Sequence, residues 1–347
     1  MARYFEHTGR LLRRQGIGNA VGMAMAERFL ATRFNVGGAP LVDHRTWALA
    51  SDGDLMEGVA SEAASLAGHL RLGKLTVIYD DNSITIDGRT ELAFSEDVGA
   101  RFEAYGWRVL RVDDGNDLAA IDAALADAAG QEERPTLIVL RTVIADPAPT
   151  KRDTPGAHGA PLGADEIRKT KAILGWPDEP FFVPGSARAD MGAVSARGTD
   201  AEASWQRGRA AYAKAHPIEA ERFRQWIAGE LPEGWDAGLP TFGIDAKAVE
   251  TRKASAAALK ALAASLPNLV GGSVDLAGST GTAHGLGGDF GPGVAGQTVH
   301  WGIREHAMAA CMNGMAAHGG VRPFGSTFLV FSDYMKPSIR LAALMGL

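Results

Sequence analysis

Cysteine is nearly absent: Cys311 is the only one in 347 residues, so no disulfide can form within the chain and a reducing compartment fits. Its neighbours Ala310 and Met312 make it a core thiol rather than a nucleophile. No run of eighteen apolar residues occurs to span a bilayer, and the opening MARYFEHTGR has no apolar stretch of a signal peptide. Neither sign of charge dominates, with 35 Lys and Arg against 41 Asp and Glu. That balance gives no reason to expect nucleic acid or a membrane surface as partner. The one basic cluster, Arg10, Arg13 and Arg14, reads as a solvated end. The expectation is a cytoplasmic protein without repeats or low-complexity tracts.

What is present is an ordinary globular composition, 46% hydrophobic and 22% charged, in a chain too long for one core. Short apolar runs alternate with alanine-rich helical patterns, as a buried parallel sheet requires. Helices are expected over 16–32, 58–72 and 117–129, and strands over 47–51, 75–81, 107–114 and 136–142. The first strand should run into a turn at Asp52-Gly53-Asp54. Residues 145–165, rich in Pro, Gly, Asp and His, read as a long functional loop. A polar helical stretch follows at 204–227. The residues ELPEGWDAGLPTFGIDAK at 229–246 mark a boundary. A second alternation then runs through helix 252–265, strands near 268–274 and 298–302, helix 304–317, strand 322–329 and a helix from about 332.

Asp52-Gly53 ends one expected strand and Asp81-Asn82 the next, one strand-helix-strand unit apart. A magnesium-bound diphosphate needs hard oxygen ligands on the protein side. Asp52 offers a carboxylate, Asn82 an amide carbonyl, and Ile84 a main-chain carbonyl. Gly53 lets the backbone approach a phosphate, and the helix beginning near residue 58 points its positive end there. Both segments sit at the carboxyl ends of parallel strands, where open α/β sheets bind ligands.

The stretch SDGDLMEGVASEAASLAGHLRLGKLTVIYDDNSITIDG at 51–88 resembles the thiamine diphosphate motif of transketolases, with Ser51 where that family opens on glycine. The resemblance continues through RFEAYGWRVLRVDDG (101–115), TKRDTPGAHGAPLG (150–163), TRKAS (251–255), GGSVDLAGST (271–280), IREHAMAACMNGMAAHGG (303–320) and STFLVFSDY (326–334). It implies thiamine diphosphate as cofactor with Mg2+, or Ca2+ or Mn2+, held by Asp52, Asn82 and the Ile84 carbonyl. Gly53 and Asn82 would touch the diphosphate. His158 would lie by cofactor and sugar, assisting proton transfers, and Glu305 would be the glutamate that activates the cofactor. Phe331 would pack on the pyrimidine, with Phe328 and Tyr334 as alternatives, and Arg252 and Ser279 would hold the substrate phosphate.

The implied fold is α/β: a parallel-sheet diphosphate-binding domain over 1–228, a linker at 229–250, and an incomplete pyrimidine-binding domain over 251–347. The implied activity moves a two-carbon ketol unit between sugar phosphates, as in the pentose phosphate pathway, in a homodimer with a shared site. The sequence departs from the family at both ends. Family members carry a longer stretch before this region, and their Gly-Pro-Leu-Gly turn reads Leu12, Arg13, Arg14 here. His7 aligns with no family histidine. The chain stops at AALMGL, which leaves further substrate residues and a C-terminal domain unaccounted for. Alternatives are therefore another thiamine-dependent ketol enzyme, such as a dihydroxyacetone or deoxyxylulose phosphate synthase. A non-catalytic chain, or a subunit that needs a complementary C-terminal chain, is the rival from another class.

Overall fold

The computed structural model describes residues 15–38, 40–244, 247–285 and 287–347; the readings placed on His7, on Arg10 and on Leu12–Arg14 fall outside them. Helix α1, Gly16–Phe34, is followed by β1, Thr46–Ser51, the short α2, Asp52–Met56, α3, Gly58–Leu70, and β2, Leu75–Asp81. Then come α4, Val98–Ala104, β3, Arg108–Val112, α5, Leu118–Ala129, and β4, Thr136–Arg141. These four strands form one sheet in the order β1-β2-β4-β3, parallel throughout. All their carboxyl ends therefore lie along one edge. Three helices follow without intervening strands: α6, Ala164–Ile173, α7, Gly185–Ala215, and α8, Pro217–Ile227.

The second half runs through α9, Thr251–Ser265, β5, Leu269–Ser273, and α10, Ala277–Thr280. It continues with β6, Asp289–Gly291, β7, Val294–Ala295, β8, Thr298–Val299, α11, Glu305–His318, β9, Arg322–Ser326, and α12, Ser332–Met345. Its sheet has the order β7-β6-β8-β5-β9, with only the β6–β7 pair antiparallel.

The two halves meet where α1 lies on α11 at backbone distance. A side chain on Gly22 would overlap the Cys311 carbonyl, one on Gly314 would overlap the Asn19 carbonyl, and a Cβ on Gly18 would stand 2.6 Å from that of Ala310. Small residues let the helix backbones approach, and one apolar cluster runs from α1 and β2 through α11 without a break. Cys311 sits within it, fully buried as the sequence implied, and burial pushes its thiol up, away from reactivity.

Three local readings need correction. The expected turn at 52–54 is instead the helix α2, because the Asp54 carboxylate accepts from the Ser51 backbone N–H at 2.8 Å and from its hydroxyl at 2.9 Å and so tightens the chain into a helical start. The expected strand at 298–302 shrinks to two residues. The helical stretch expected from 204 begins at Gly185, where Gly, Ala and Ser predominate and Met191 and Val194 alone are too weak an apolar pattern to mark a helix.

Candidate active site

Register places the residues expected at the diphosphate together. Ser51 pairs with Asp80 across the β1–β2 ladder, so Asp52 and Asp81–Ser83 leave adjacent strand ends side by side. Ser51 has φ −114° and ψ 176°, extended backbone open to any residue, so serine serves where the family has glycine. No side chain of the protein occupies the space a Cβ on Gly53 would take, which leaves room for a ligand to approach the backbone there.

Asp52 is 2% exposed. One carboxylate oxygen accepts the Tyr79 hydroxyl at 2.6 Å and the other the Ser83 N–H at 3.1 Å. Burial raises its pKa, the Tyr79 hydrogen bond opposes this, and the neighbouring Asp81 charge adds to the rise. Among the described residues it has no cationic partner within ion-pair distance. A buried carboxylate held in place and lacking a counter-charge is the donor a divalent cation requires.

The Asn82 amide oxygen accepts the Ile84 N–H at 3.0 Å, and its NH2 donates to Asp80 at 3.2 Å. That pattern fixes the amide and the Ile84 backbone as one turn, begun by Ser83 at φ 59°. Among the described residues no group of three His, Cys, Asp or Glu could hold a metal. One carboxylate, one amide oxygen and one main-chain carbonyl nevertheless make a hard-oxygen set that suits Mg2+ beside a phosphate. A cavity of about 180 Å³ adjoins them, lined by Asp52, Tyr79, Asp81, Ser83, Phe94 and Arg111 among others.

The loop carrying His158 is tied to this edge. Asp153 pairs with Arg89, which itself bridges to Ile84, and the Thr142 hydroxyl bonds Asp80. The Glu166 carboxylate holds the Thr150 and Lys151 N–H groups at 2.6 and 3.1 Å, which stiffens the loop base. His158 itself is exposed, and among the described residues its side chain has no hydrogen-bond partner.

Glu305 opens α11, is 8% exposed, and accepts the Thr327 hydroxyl at 3.2 Å. Helix α3, whose N-terminus lies near Asp52, also secures α11: Glu62 accepts the Ala307 N–H at 3.0 Å, and Arg304 reaches Ser65 at 3.2 Å. Phe331 stacks on Phe328 with centroids 6.2 Å apart and lies 6.3 Å from Tyr334. These rings, with Leu329 and Val330, face solvent.

Arg252 pairs with Glu250 at 2.5 Å, and the chain beside Ser279 packs on its helix, since a Cβ on Gly281 would stand 3.1 Å from the Arg252 carbonyl oxygen. The structure thus forms three groupings: Asp52 with Asn82 and Ile84, Glu305 with Thr327, and Arg252 with Ser279. Among the described residues no hydrogen bond or ion pair joins them. Sequence reading missed Tyr79 and Ser83, which hold Asp52. A tyrosine ending an apolar strand run, LTVIYDD, carried a signal: a buried phenol needs a partner.

Known proteins resemble the chain over nearly its whole length. The family model described as transketolase, thiamine diphosphate binding domain, matches residues 6–232, and that described as transketolase, pyrimidine binding domain, matches 247–347. A transketolase of Geobacillus stearothermophilus is 52% identical over 336 residues, covering 96% of this chain and 50% of the relative. The Bacillus subtilis transketolase is 47% identical with the same coverage. Among solved structures, Leishmania mexicana transketolase superposes with a TM-score of 0.91 at 42% identity, and Pichia stipitis transketolase in complex with sedoheptulose 7-phosphate with 0.92 at 41%. Both cover 96% of this chain and 50% of their own. The chain spans about half the length of the relatives it matches, and it belongs to the transketolase family.

Proposed function

We propose that this chain works in transfer of a two-carbon ketol unit from a ketose phosphate to an aldose phosphate, with thiamine diphosphate and Mg2+ as cofactors. The observation that carries the reading is the buried, counter-ion-free carboxylate of Asp52 beside the fixed Asn82–Ile84 turn. In this reading residues 1–228 form the diphosphate-binding part, 229–250 the linker and 251–347 the pyrimidine-binding part.

Asp52, Asn82 and the Ile84 carbonyl would hold the cation, with Ca2+ or Mn2+ as substitutes, and Gly53 and Asn82 the diphosphate. Bound thiamine diphosphate would supply a nucleophilic carbon and an electron sink for the cleaved carbon–carbon bond. Glu305, anchored by Thr327, would give and take the proton at the aminopyrimidine ring nitrogen. Phe331 would cover the ring and exclude water. His158 would move protons at the sugar hydroxyls, and Arg252 with Ser279 would bind the sugar's phosphate.

The exposed aromatic face around Phe331 supports a homodimer in which one protomer's Glu305 and Phe331 serve its partner's cofactor. Because the chain spans half of its relatives, a second reading is a subunit completed by another chain. Among the described residues no helix is long and apolar enough to cross a membrane; the location proposed with this activity is the cytoplasm.

The test is a transfer assay with ketose phosphate donor, aldose phosphate acceptor, cofactor and Mg2+. Turnover that falls about 10²–10⁴-fold in Glu305→Gln supports the reading. Turnover unchanged by that substitution would sink the role of Glu305. No turnover by a cofactor-loaded chain would favour the completed-subunit reading.

A further inference from the structure

Successive side chains on a strand point to opposite faces, and β2 closes with Tyr79 and Asp80 before its last residue, Asp81. Tyr79 holds Asp52. Asp80, on the other face, is half-buried, and among the described residues it forms no ion pair. The cation close by is committed to its neighbours: Arg141 donates to the Asp81 carboxylate at 3.1 Å and to the Ser83 hydroxyl at 2.7 Å. Each Asp80 oxygen accepts instead from a neutral donor, one from the Thr142 hydroxyl and the other from the Asn82 NH2 at 3.2 Å. Thr142 is itself fixed, since its N–H donates to the Asp81 carbonyl at 3.1 Å.

The Asn82 amide is therefore sorted at both ends. Its oxygen meets the Ile84 N–H at 3.0 Å, a group that only donates. Its nitrogen meets a carboxylate, which only accepts. A flipped amide would set NH2 against N–H and oxygen against carboxylate, and both bonds would be lost. An amide oxygen has two lone pairs. Ile84 uses one, and the other stays available.

We propose that Asp80, anchored by Thr142, is a positioning residue for the cation, locking the Asn82 amide so that its oxygen and not its nitrogen is the ligand. This rests on the proposed function, in which Asn82 holds Mg2+. Asp80 acts through Asn82 and needs no contact with the ion. The chemistry of the two ions gives such a lock its own signature. Mg2+ demands near-ideal octahedral placement of its ligands, whereas Ca2+ accepts irregular, flexible sets. A misplaced amide oxygen thus penalises Mg2+ more than Ca2+. Loss of a nearby negative charge, or a general loosening of the fold, weakens both ions alike.

Calorimetric titration of thiamine diphosphate into the full chain, in Mg2+ and separately in Ca2+, tests this with Asp80→Ala, Asp80→Asn and Asn82→Ala. Asp80→Ala should weaken binding in Mg2+ about 10–100-fold, and in Ca2+ only about threefold. Asp80→Asn supplies an oxygen for the Asn82 NH2 and an NH2 for the Thr142 oxygen, so binding in Mg2+ should return to within about threefold of wild type. Asn82→Ala should lose at least as much as Asp80→Ala. If thermal melts show that Asp80→Ala does not fold, Thr142→Val replaces it, with a smaller loss that again falls mainly on Mg2+.

Wild-type affinity in Asp80→Ala, or in Thr142→Val where that stands in, beside a loss in Asn82→Ala would overturn the positioning role and leave the proposed function standing. Equal losses in the two ions would overturn it too, as would an Asp80→Asn as weak as Asp80→Ala, which would assign the effect to charge. A folded wild type that binds in neither ion would remove the proposed function and this inference with it.

Discussion

At the scale of single residues, Asp52 carries the opposition between stability and binding. Its pKa is raised by burial, so the sign of its contribution is fixed: stability is lost as pH rises from the unfolded carboxylate range through the folded value, and stays lost at neutral pH. Asp52→Asn removes the buried charge, its Oδ1 still accepting the Ser83 N–H while its NH2 donates to the Tyr79 hydroxyl oxygen. It should raise the Tm of the ligand-free chain at pH 7 while abolishing Mg2+-dependent cofactor binding; a lower Tm would show that the charge is better compensated than the hydrogen bonds indicate. Tyr79→Phe frees Asp52 from its orienting bond and should weaken Mg2+ affinity about 10–100-fold in a competition titration.

Histidines give the opposite sign. His44 donates Nε2–H to His318 Nε2 across 2.7 Å, the tautomer being set by the His318 Nδ1–H bond to Gly319 O. Burial, with the His318 and Lys74 charges, pushes His44 down to about 4, and burial lowers His318, His306 and His284. Groups that stay neutral when folded stabilise above the unfolded pKa, and that stability is lost as pH falls from about 6.5 toward about 4. Thermal melts across that window should show the loss, and His44→Gln should flatten it; an unchanged slope would assign the loss elsewhere.

At the scale of elements, packing of α1 on α11 is the tightest joint. Gly22→Ala drives a methyl into the Cys311 carbonyl, and should cost about 1–3 kcal/mol in denaturant midpoint analysis. An effect under a few tenths would mean that the helices can part freely. What the sequence made legible divides along physical lines here. Strand β2 was read at its observed limits because seven residues of LTVIYDD carry a buried-strand composition and a clear turn on each side. The opening of α7 was not, because most of its side chains are small and Met191 and Val194 are its only large apolar ones before Trp205, too few to mark a helix. The 52–54 segment misled for a third reason: a single carboxylate, Asp54, decides between turn and helix start, and patterns do not see one hydrogen bond.

At the scale of the whole molecule, two sheets share one continuous core, and unfolding should be correspondingly cooperative. Cofactor and Mg2+ bound to the native state alone would add about 2.7 kcal/mol at a hundred times the dissociation constant, read as one transition moved upward. Motif residues Asp52, Asn82 and Ile84 were legible as a site because strand ends in a parallel sheet bring distant positions together by rule. Whether Glu305, Arg252 and His158 share that site was not legible, since it depends on how the halves pack and on ligands that pattern and spacing do not describe.

In the proposed function, Asp52 and the Asn82–Ile84 turn bind the diphosphate through a divalent cation. Calorimetric titration of thiamine diphosphate with Mg2+ into the purified chain, with Asp52→Ala alongside, tests it most directly. Saturable, metal-dependent binding that vanishes in the variant is the predicted result. Binding of equal strength in both proteins, or none in a folded sample of the unaltered chain, would contradict it.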